Sequence, residues 1–160
     1  MGIGKVKTVF LDRDGVLNRM YVVDGTPHPP DGAAQLEIYP DVGDALRRLK
    51  DAGYLLIVVT NQSGVARAYY DEAHIERFHR HLDEQLGAAA APDAYYYCPD
   101  HPDAVRAEYR RASSLRKPDI GMFELARKAY PTAVERSFMI GDKERDMEFA
   151  ARAALRGILL

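Results

Sequence analysis

The sequence has little of several features that mark particular classes of protein. Its 160 residues include one cysteine, Cys98, so no internal disulfide can form and the chain is expected to be intracellular, in the cytoplasm. No apolar run approaches the ~18 residues of a membrane span, and residues 1–7 lack the apolar stretch of a signal peptide. The formal net charge of -2 provides no electrostatic attraction to nucleic acid or to an anionic membrane. We therefore expect neither of these as a partner.

What the sequence does contain is the composition of an ordinary soluble protein, with 47% hydrophobic and 29% charged residues. A chain of this length buries roughly 68–70% of its unfolded surface, which is enough for one hydrophobic core. We expect a single domain over residues 1–160, present as a monomer or a weak dimer.

Short apolar or β-branched segments, which are typical of strands, alternate along the chain with amphipathic segments, which are typical of helices. Strands are predicted over residues 5–11, 54–59, 93–97, 137–140 and 158–160, and helices over 42–52, 71–86 and 122–130, with a fourth helix after residue 146. This alternation predicts an α/β fold in three layers (α/β/α), with a central parallel sheet covered by helices on both faces. Residues 18–39 are rich in proline and glycine and are predicted to form a long loop or a small flap.

Periodicity also predicts the environment of individual side chains. Asp41 is expected to cap the first helix, and Cys98 to be a half-buried thiol. Three histidines of the second helix are expected to be solvated: His74, His79 and His81. The fourth helix is expected to turn four side chains inward: Met147, Ala150, Ala151 and Ala154.

Polar side chains follow three of the predicted strands at the points where the strands end. The first strand stops at Asp12 and Asp14, the second at Thr60 and the fourth at Asp142. The carboxyl ends of parallel strands meet at one edge of a sheet, and ligands bind beyond that edge. A buried strand that ends in unpaired acids is costly unless a cation or a basic partner lies beside it. The sequence therefore predicts one polar site built from these separate stretches.

These residue types suit the chemistry of phosphate. Asp12, Asp14 and Asp142 offer hard oxygen ligands for Mg²⁺ in a site that also holds water and a phosphate. Thr60 provides a hydroxyl and Lys117 a positive charge for the phosphate oxygens. Acids, a metal ion and a lysine together indicate phosphoryl transfer. An aspartate can act as the nucleophile and form an aspartyl-phosphate, while a second acid protonates the leaving oxygen and later activates water.

Four short stretches carry a resemblance to a known family. Leu-Asp-Arg-Asp-Gly at 11–15, Thr60, Lys-Pro at 117–118 and Gly-Asp-Lys-x-x-Asp at 141–146 resemble the four motifs of the haloacid dehalogenase (HAD) superfamily of phosphatases. Further stretches at 59–67, 96–99 and 116–118 are similar to its capless branch, which contains the heptose bisphosphate 7-phosphatases and the histidinol-phosphate phosphatases. Gln-Ser-Gly at 62–64 is more similar to the heptose enzymes, because histidinol phosphatases usually have Gln-Asp-Gly there.

The resemblance implies a role for each matching position. Asp12 is the implied nucleophile and Asp14 the general acid and then base. Mg²⁺ is implied to bind the Asp12 carboxylate, the Asp14 backbone carbonyl and Asp142. Thr60 and Lys117 are implied to hold the transferring phosphoryl group.

Other matching positions are implied to contact the substrate: Asn61, Gln62, Ser63, Arg116, Lys117 and Lys143. Asp146 is expected to orient its loop rather than to bind the metal.

The resemblance implies a Mg²⁺-dependent phosphomonoester hydrolase that acts through an aspartyl-phosphate on a small sugar phosphate. The leading expectation is the 7-phosphate of D-glycero-D-manno-heptose 1,7-bisphosphate. Histidinol phosphate or another sugar phosphate is the enzymatic alternative, and an inactive scaffold with the same fold is the non-enzymatic one.

The chain departs from the family in the loop that usually binds zinc, here residues 98–116. The family reads Cys-Pro-His-His-Pro, but this chain has Asp100 in place of the first histidine. Ser113 and Leu115 replace two later cysteines, so only Cys98 and the adjacent His101 remain. Structural zinc takes four nitrogen or sulfur ligands, so we expect no structural zinc here; a residual site of Cys98, Asp100 and His101 is the alternative. This loop helps to define substrate fit in the family, so its change leaves the identity of the substrate open. Ala68 also stands where the heptose enzymes usually place glycine.

Overall fold

Five parallel strands form the central sheet, in the spatial order β5-β4-β1-β6-β7, and a separate hairpin is formed by β2 and β3. The strands are β1 (Thr8–Leu11), β2 (Tyr21–Val23), β3 (Thr26–His28), β4 (Leu55–Asn61), β5 (Ala94–Cys98), β6 (Phe138–Gly141) and β7 (Arg156–Leu159). This computed structural model describes residues 4–28, 30 and 32–160. Residues 1–3, which belong to the segment searched for a signal peptide, and Pro29 and Asp31 of the predicted flap lie outside the described residues.

Within the described residues, four α-helices connect the strands: α1 (Val42–Asp51), α2 (Glu72–Leu86), α3 (Gly121–Ala129) and α4 (Glu144–Arg152). The Asp71 carboxylate accepts a hydrogen bond of 2.8 Å from the backbone N–H of His74, which fixes the start of α2. Helix α1 begins after Asp41 as predicted, but the side chain of Asp41 makes no capping hydrogen bond. None of the helices in the described part of the chain is long and apolar enough to cross a membrane.

The pleat of β1 explains why both faces of the sheet are covered. Successive side chains of a strand point to opposite faces, and all four residues of β1 are buried. Val9 and Leu11 belong to a cluster with Leu46 of α1 and Phe78 of α2. Phe10 points to the other face and packs in a cluster with residues of α3 and α4. The predicted three-layer α/β/α fold is therefore confirmed, and no second domain is inserted between the strands within the described residues.

Several side-chain environments differ from the predictions. In α4, Phe149 and Ala150 face the core and Ala153 follows them, whereas Ala151 and Ala154 are exposed. The helix ends at Arg152, so the helical period does not extend to Ala154.

Two buried residues were predicted to be solvated or half-buried. His79 is only 7% exposed, because the ring of Tyr95 from β5 stacks on it with a centroid distance of 4.2 Å. Cys98 is fully buried at the end of β5.

The predicted flap contains the β2–β3 hairpin, in which Tyr21 pairs with His28 and Val23 with Thr26. Its Val22 and Val23 side chains are exposed. The chain order reverses around β1, because β4 and β5 lie on one side of it and β6 and β7 on the other. Such a reversal opens a crevice at the carboxyl ends of the strands, which is where ligands bind in sheets of this kind.

Candidate active site

A small polar hollow of about 60 Å³ lies at the carboxyl ends of the central strands. Eight residues line it: Asp12, Asp14, Met20, Thr60, Asn61, Lys117, Lys143 and Arg145. Asp12 and Asp14 follow β1, and Thr60 lies at the end of β4, which pairs with β1. Lys143 follows β6, which pairs with β1 on its other side. The sheet therefore brings together polar residues that are far apart in sequence, as their positions at strand ends predicted.

Asp12 and Lys117 form a buried pair at the centre of the hollow. The Lys117 ammonium lies 3.2 Å from Asp12 Oδ1 and 2.7 Å from Asp146 Oδ1, and its side chain is 1% exposed. Burial raises the pKa of the Asp12 carboxyl, Lys117 opposes that shift, and the nearby Asp146 and Asp14 add to it. The charge of Lys117 is therefore shared between two carboxylates.

Three carboxylates of this region are close enough to share one cation. Oxygen atoms of Asp12, Asp142 and Asp146 lie within 4.8 Å of one another. Asp142 Oδ1 is buried and has no hydrogen-bond partner among the residues that the structure describes, while Oδ2 accepts from Lys143 Nζ at 2.7 Å. An unpartnered carboxylate oxygen beside two other acids is the environment that a hard divalent cation satisfies. These residues therefore fit Mg²⁺.

Asp146 is held by bonds that orient its loop. Its Oδ1 accepts from Lys117, and its Oδ2 accepts from the backbone N–H of Lys143 at 3.2 Å, which closes the first turn of α4. The loop after β1 packs closely against Asp142 at Gly15. This glycine has φ +87°, and a Cβ on it would overlap the Asp142 carboxylate.

Asp14 is fixed by three neighbouring side chains. Arg13 donates to Oδ1 through Nε at 3.2 Å and to both oxygens through Nη2 at 3.1 Å. Asn18 Nδ2 donates to Oδ1 at 3.0 Å, and Gln62 Nε2 donates to Oδ2 at 2.8 Å. Both oxygens of the carboxylate therefore have their orientation set by protein donors.

Gln62 lies behind the hollow, where it is 1% exposed. Its Nε2 donates to Asp14 and to Thr60 Oγ1, the latter at 2.9 Å, and its Oε1 accepts from Arg13 and from Tyr70. Every hydrogen-bonding position of this amide is thus used within the protein. The bond to Thr60 leaves the Thr60 hydroxyl proton free to point elsewhere, including towards the hollow.

Asn61 connects two of the elements that form the site. Its Nδ2 donates to the backbone carbonyl of Lys117 at 3.1 Å, and its Oδ1 accepts from the backbone N–H of Lys117 at 2.9 Å. This pair of bonds fastens the loop that carries Lys117 to the end of β4.

A second, larger pocket of about 270 Å³ adjoins the hollow and shares Met20, Asn61 and Arg145 with it. Its lining includes Ser63 and three arginines, Arg67, Arg116 and Arg145. Burial lowers the pKa of Arg116, and repulsion from Arg145 and Arg67 lowers it further, so the three guanidinium groups act on one another. Within the described residues, none of the three forms an ion pair with a carboxylate.

The loop at 98–116 is held together without a cluster of metal ligands. The His101 ring accepts a hydrogen bond of 3.0 Å from the backbone N–H of Asp103. Arg111 Nε lies 2.9 Å from Asp100 Oδ1, at ion-pair distance but without hydrogen-bond alignment. Among the described ranges, the one group of His, Cys, Asp or Glu residues spaced to hold a metal is the Asp12–Asp142–Asp146 cluster.

Further bonds anchor this loop to the rest of the fold. The hydroxyls of Tyr97 and Tyr109 donate to the two oxygens of Glu72 in α2, at 2.7 and 3.0 Å. The backbone N–H groups of Val105 and Arg106 both donate to the carbonyl of Ala66.

A buried aspartate, a lysine and a three-carboxylate cluster at the switch point of a parallel sheet define a class of hydrolase that acts on phosphate esters. Comparisons with known proteins agree. A family model described as haloacid dehalogenase-like hydrolase matches residues 30–154. The chain therefore belongs to this family, and the resemblance in its motifs is confirmed.

Two curated relatives are phosphatases of one kind. The D-glycero-D-manno-heptose-1,7-bisphosphate 7-phosphatase of Thermosynechococcus vestitus is 41% identical over 157 residues, covering 95% of this chain and 77% of the relative. The D-glycero-beta-D-manno-heptose-1,7-bisphosphate 7-phosphatase of Escherichia coli (strain K12) is 40% identical over 149 residues, covering 92% of this chain and 75% of the relative. This chain is accordingly a phosphatase.

A solved structure shares the fold. The D,D-heptose 1,7-bisphosphate phosphatase from B. bronchiseptica, complexed with magnesium and phosphate, has a TM-score of 0.80 at 29% identity, covering 96% of this chain and 79% of that chain.

Several residues at or beside these sites had no role in the sequence-based prediction, and four of them are basic: Arg13, Arg67, His79 and Arg145. Arg13 carried a signal, since a basic residue between two acids at the end of a buried strand is a ready partner for one of them. The position of Arg145 between two catalytic-motif residues was a weaker signal. His79 carried none, because its burial depends on Tyr95 from a distant strand.

Proposed function

We propose that this protein is a Mg²⁺-dependent phosphatase that removes the 7-phosphate from D-glycero-D-manno-heptose 1,7-bisphosphate. The observation that carries the proposal is the connection between the acid-lined hollow and the pocket of Arg67, Arg116 and Arg145. The hollow suits a phosphoryl group that reacts, and the arginines suit a second phosphate that does not. The names of the curated relatives point to the same bisphosphate.

The proposed reaction has two phosphoryl transfers. A carboxylate oxygen of Asp12 attacks phosphorus, and the bond from phosphorus to the sugar oxygen breaks as Asp14 gives that oxygen a proton. Water then attacks the aspartyl-phosphate, Asp14 takes up the proton, and the bond between phosphorus and Asp12 breaks to release phosphate. Proton transfers of this kind contribute about 10²–10⁴-fold to rate.

The other residues hold the reacting group in place. Lys117 is positioned to neutralise phosphoryl oxygens next to Asp12, and the Thr60 hydroxyl is available to donate to one of them. Asp12, Asp142 and the Asp14 backbone carbonyl are the proposed ligands of Mg²⁺, which when bound neutralises charge on the phosphate and on Asp12. Lys143 pairs with Asp142 and, together with Ser63, lies where it can contact substrate.

The geometry refines two of the implied substrate contacts. Gln62 and Asn61 use their amide groups on protein partners, so we assign them to positioning Asp14 and the Lys117 loop. We also propose that the flap at 18–39 and the loop at 98–116 select the substrate, and that no structural zinc is bound. The single cysteine favours a cytoplasmic setting.

Histidinol phosphate or another sugar phosphate remains the alternative substrate class. The arginine pocket favours the bisphosphate, because a monophosphate would leave these guanidinium groups without an anion. An inactive scaffold is disfavoured because a buried Asp12–Lys117–Asp146 set costs stability unless it has a use.

The proposal is tested by phosphate release with Mg²⁺ from heptose 1,7-bisphosphate, histidinol phosphate and simple sugar monophosphates. We expect preference for the bisphosphate, and loss of at least about 10³-fold in turnover for Asp12→Asn with the fold intact. The matched control is Asp51→Asn, at the exposed end of α1. Full turnover by Asp12→Asn would rule out the proposed nucleophile, and a scaffold would release no phosphate from any substrate.

A further inference from the structure

Arg13 is a buried cation with one charged partner. Its side chain is 3% exposed, and within the described part of the chain Asp14 is the carboxylate at ion-pair distance from it, at 3.1 Å. A buried guanidinium with a fork-like set of donors fixes a carboxylate in two places, which a lysine ammonium cannot do. The orientation of Asp14 therefore depends on where Arg13 is held.

Three residues hold the guanidinium of Arg13. Nη2 donates to Gln62 Oε1 at 3.0 Å, and Nη1 lies 3.2 Å from His79 Nε2. The ring of Phe78 lies beneath the guanidinium carbon at 4.2 Å. The group is thus bounded on its edges by acceptors and on one face by an aromatic ring.

His79 acts as an acceptor in this arrangement. Burial, and secondly the charge of Arg13, lowers the pKa of His79 to about 3, so the ring is neutral at ordinary pH. A neutral imidazole that accepts at Nε2 carries its proton on Nδ1. Stacking on Tyr95 at an interplanar angle of 16° fixes the plane of the ring. The hydroxyl of Tyr95 in turn donates to Asp83 of α2 at 2.6 Å.

In each of the side-chain hydrogen bonds to Asp14 described above, the Asp14 carboxylate is the acceptor. Arg13, Asn18 and Gln62 donate to its two oxygens, and none of them offers an acceptor there. This arrangement matches the step in which Asp14 accepts a proton from the water that attacks the aspartyl-phosphate. It matches less well the earlier step, in which Asp14 gives a proton to the leaving oxygen.

We infer that Arg13 is a positioning residue that holds Asp14 ready to accept the proton of the attacking water, and that His79 and Gln62 hold Arg13 in turn. The inference rests on the proposed function, because it assigns Arg13 to the second of the two phosphoryl transfers. In that step the oxygen of water forms a bond to phosphorus, its proton goes to Asp14, and the bond from phosphorus to Asp12 breaks.

The test uses p-nitrophenyl phosphate, whose leaving group departs readily without a proton donor. In Arg13→Lys, we expect steady-state turnover to fall about 10²-fold. The first release of nitrophenolate should stay within about threefold of wild type, so a burst of one equivalent should precede slow turnover. The aspartyl-phosphate should then accumulate on Asp12, where mass spectrometry detects the added phosphoryl group. Arg80→Lys, on the exposed side of α2, is the matched control and should behave as wild type.

Two further variants keep the test decisive if Arg13→Lys folds poorly. His79→Phe keeps an aromatic ring against Tyr95 but removes the acceptor, and should show the same burst with about a tenfold loss of turnover, whereas His81→Phe should not. The double variant Arg13→Lys/Asp14→Asn should turn over no more slowly than Asp14→Asn alone, because Arg13 acts through Asp14.

The contrary outcomes separate this inference from the proposed function. Equal slowing of the burst and of steady-state turnover, or additive losses in the double variant, would overturn the role of Arg13 and leave the phosphatase intact. Unchanged turnover in Asp12→Asn would overturn both.

Discussion

The reaction centre and the loop at 98–116 lie side by side but are stabilised in different ways. The reaction centre is the polar hollow together with the adjoining Asp142 and Asp146. Acids that follow β1 and β6 face Lys117 there, and Asp142 Oδ1 has no hydrogen-bond partner among the described residues. In the loop, the positions that carry zinc ligands in the family hold Asp100, Ser113 and Leu115, and the contacts are hydrogen bonds and one ion pair. Asp100 Oδ1 in the loop also lacks a hydrogen-bond partner within the described residues, but the Arg111 guanidinium lies 2.9 Å from it, whereas Asp142 lies beside two other acids. A protein cation can balance the loop carboxylate, whereas the carboxylates of the reaction centre suit a metal ion.

Removal of metal ions should affect the reaction centre but not the loop at 98–116, and this is the largest difference that we expect between the two regions. EDTA should abolish turnover, and added Mg²⁺ should restore it, because the proposed site of Asp12, Asp142 and the Asp14 backbone carbonyl holds a hard cation. A chelator selective for zinc should change neither turnover nor the melting temperature. A drop in melting temperature with the zinc chelator, reversed by zinc, would show that the loop still holds that metal.

The arginine pocket should affect substrate binding more than chemistry. We expect Arg67→Met, which changes the arginine pocket but not the lining of the hollow, to raise KM for the bisphosphate about tenfold through loss of a charge-assisted hydrogen bond, with a smaller effect on kcat. KM for a sugar monophosphate should change much less. Arg136→Met, in an exposed turn away from the pocket, is the matched control. Equal effects on both substrates would argue against a second phosphate in this pocket.

The ion pair of the loop should contribute modestly to stability. Arg111 is 60% exposed and the Asp100 side chain 7% exposed, so Arg111→Met should lower the free energy of unfolding by about 1 kcal/mol. Asp100→Asn added to Arg111→Met should recover part of that loss, since the buried charge is then removed. Denaturant unfolding measures both. No loss in the single variant would mean that the hydrogen bonds hold the loop by themselves.

The smallest effect is expected at the join between the two regions. Ala68 has φ +62°, a conformation that costs a residue with a Cβ about 1–2 kcal/mol. Ala68→Gly should therefore raise the free energy of unfolding by about 0.5–1 kcal/mol after the extra flexibility of glycine in the unfolded chain is subtracted. Ala89→Gly, in an exposed turn outside the left-handed region, should be neutral or destabilising. A loss of stability in Ala68→Gly would contradict the strain assigned to this turn.

Much of the fold and the hollow could be predicted from the sequence because both depend on local patterns. The apolar run of β4 and the acids after β1 are readable in order, and the carboxyl-edge rule for parallel sheets brings Asp12, Thr60 and Asp142 together. Lys117 was predicted from the motif resemblance. Its position in the hollow depends on the hydrogen bonds between the Asn61 side chain and the backbone of Lys117.

The rest depends on contacts between distant segments. His79 lies at the edge of the apolar stripe of α2, and its burial depends on Tyr95 and Arg13, which come from other elements. Gln62 follows a polar strand end and was expected to contact substrate. In the structure, Arg13 and Tyr70 both donate hydrogen bonds to its amide oxygen. One sequence alone does not specify such neighbours, because propensity and periodicity describe a segment and not the segment packed against it.

The most direct test of this account combines two readings on one preparation: bound zinc by elemental analysis, and kcat/KM with Mg²⁺ for heptose 1,7-bisphosphate against its monophosphate product and histidinol phosphate. We predict protein without zinc that strongly prefers the bisphosphate, because the reaction centre and arginine pocket are intact while the loop is held by its own contacts. Stoichiometric zinc whose removal abolishes that preference, or weak and indiscriminate turnover of all three substrates, would contradict it.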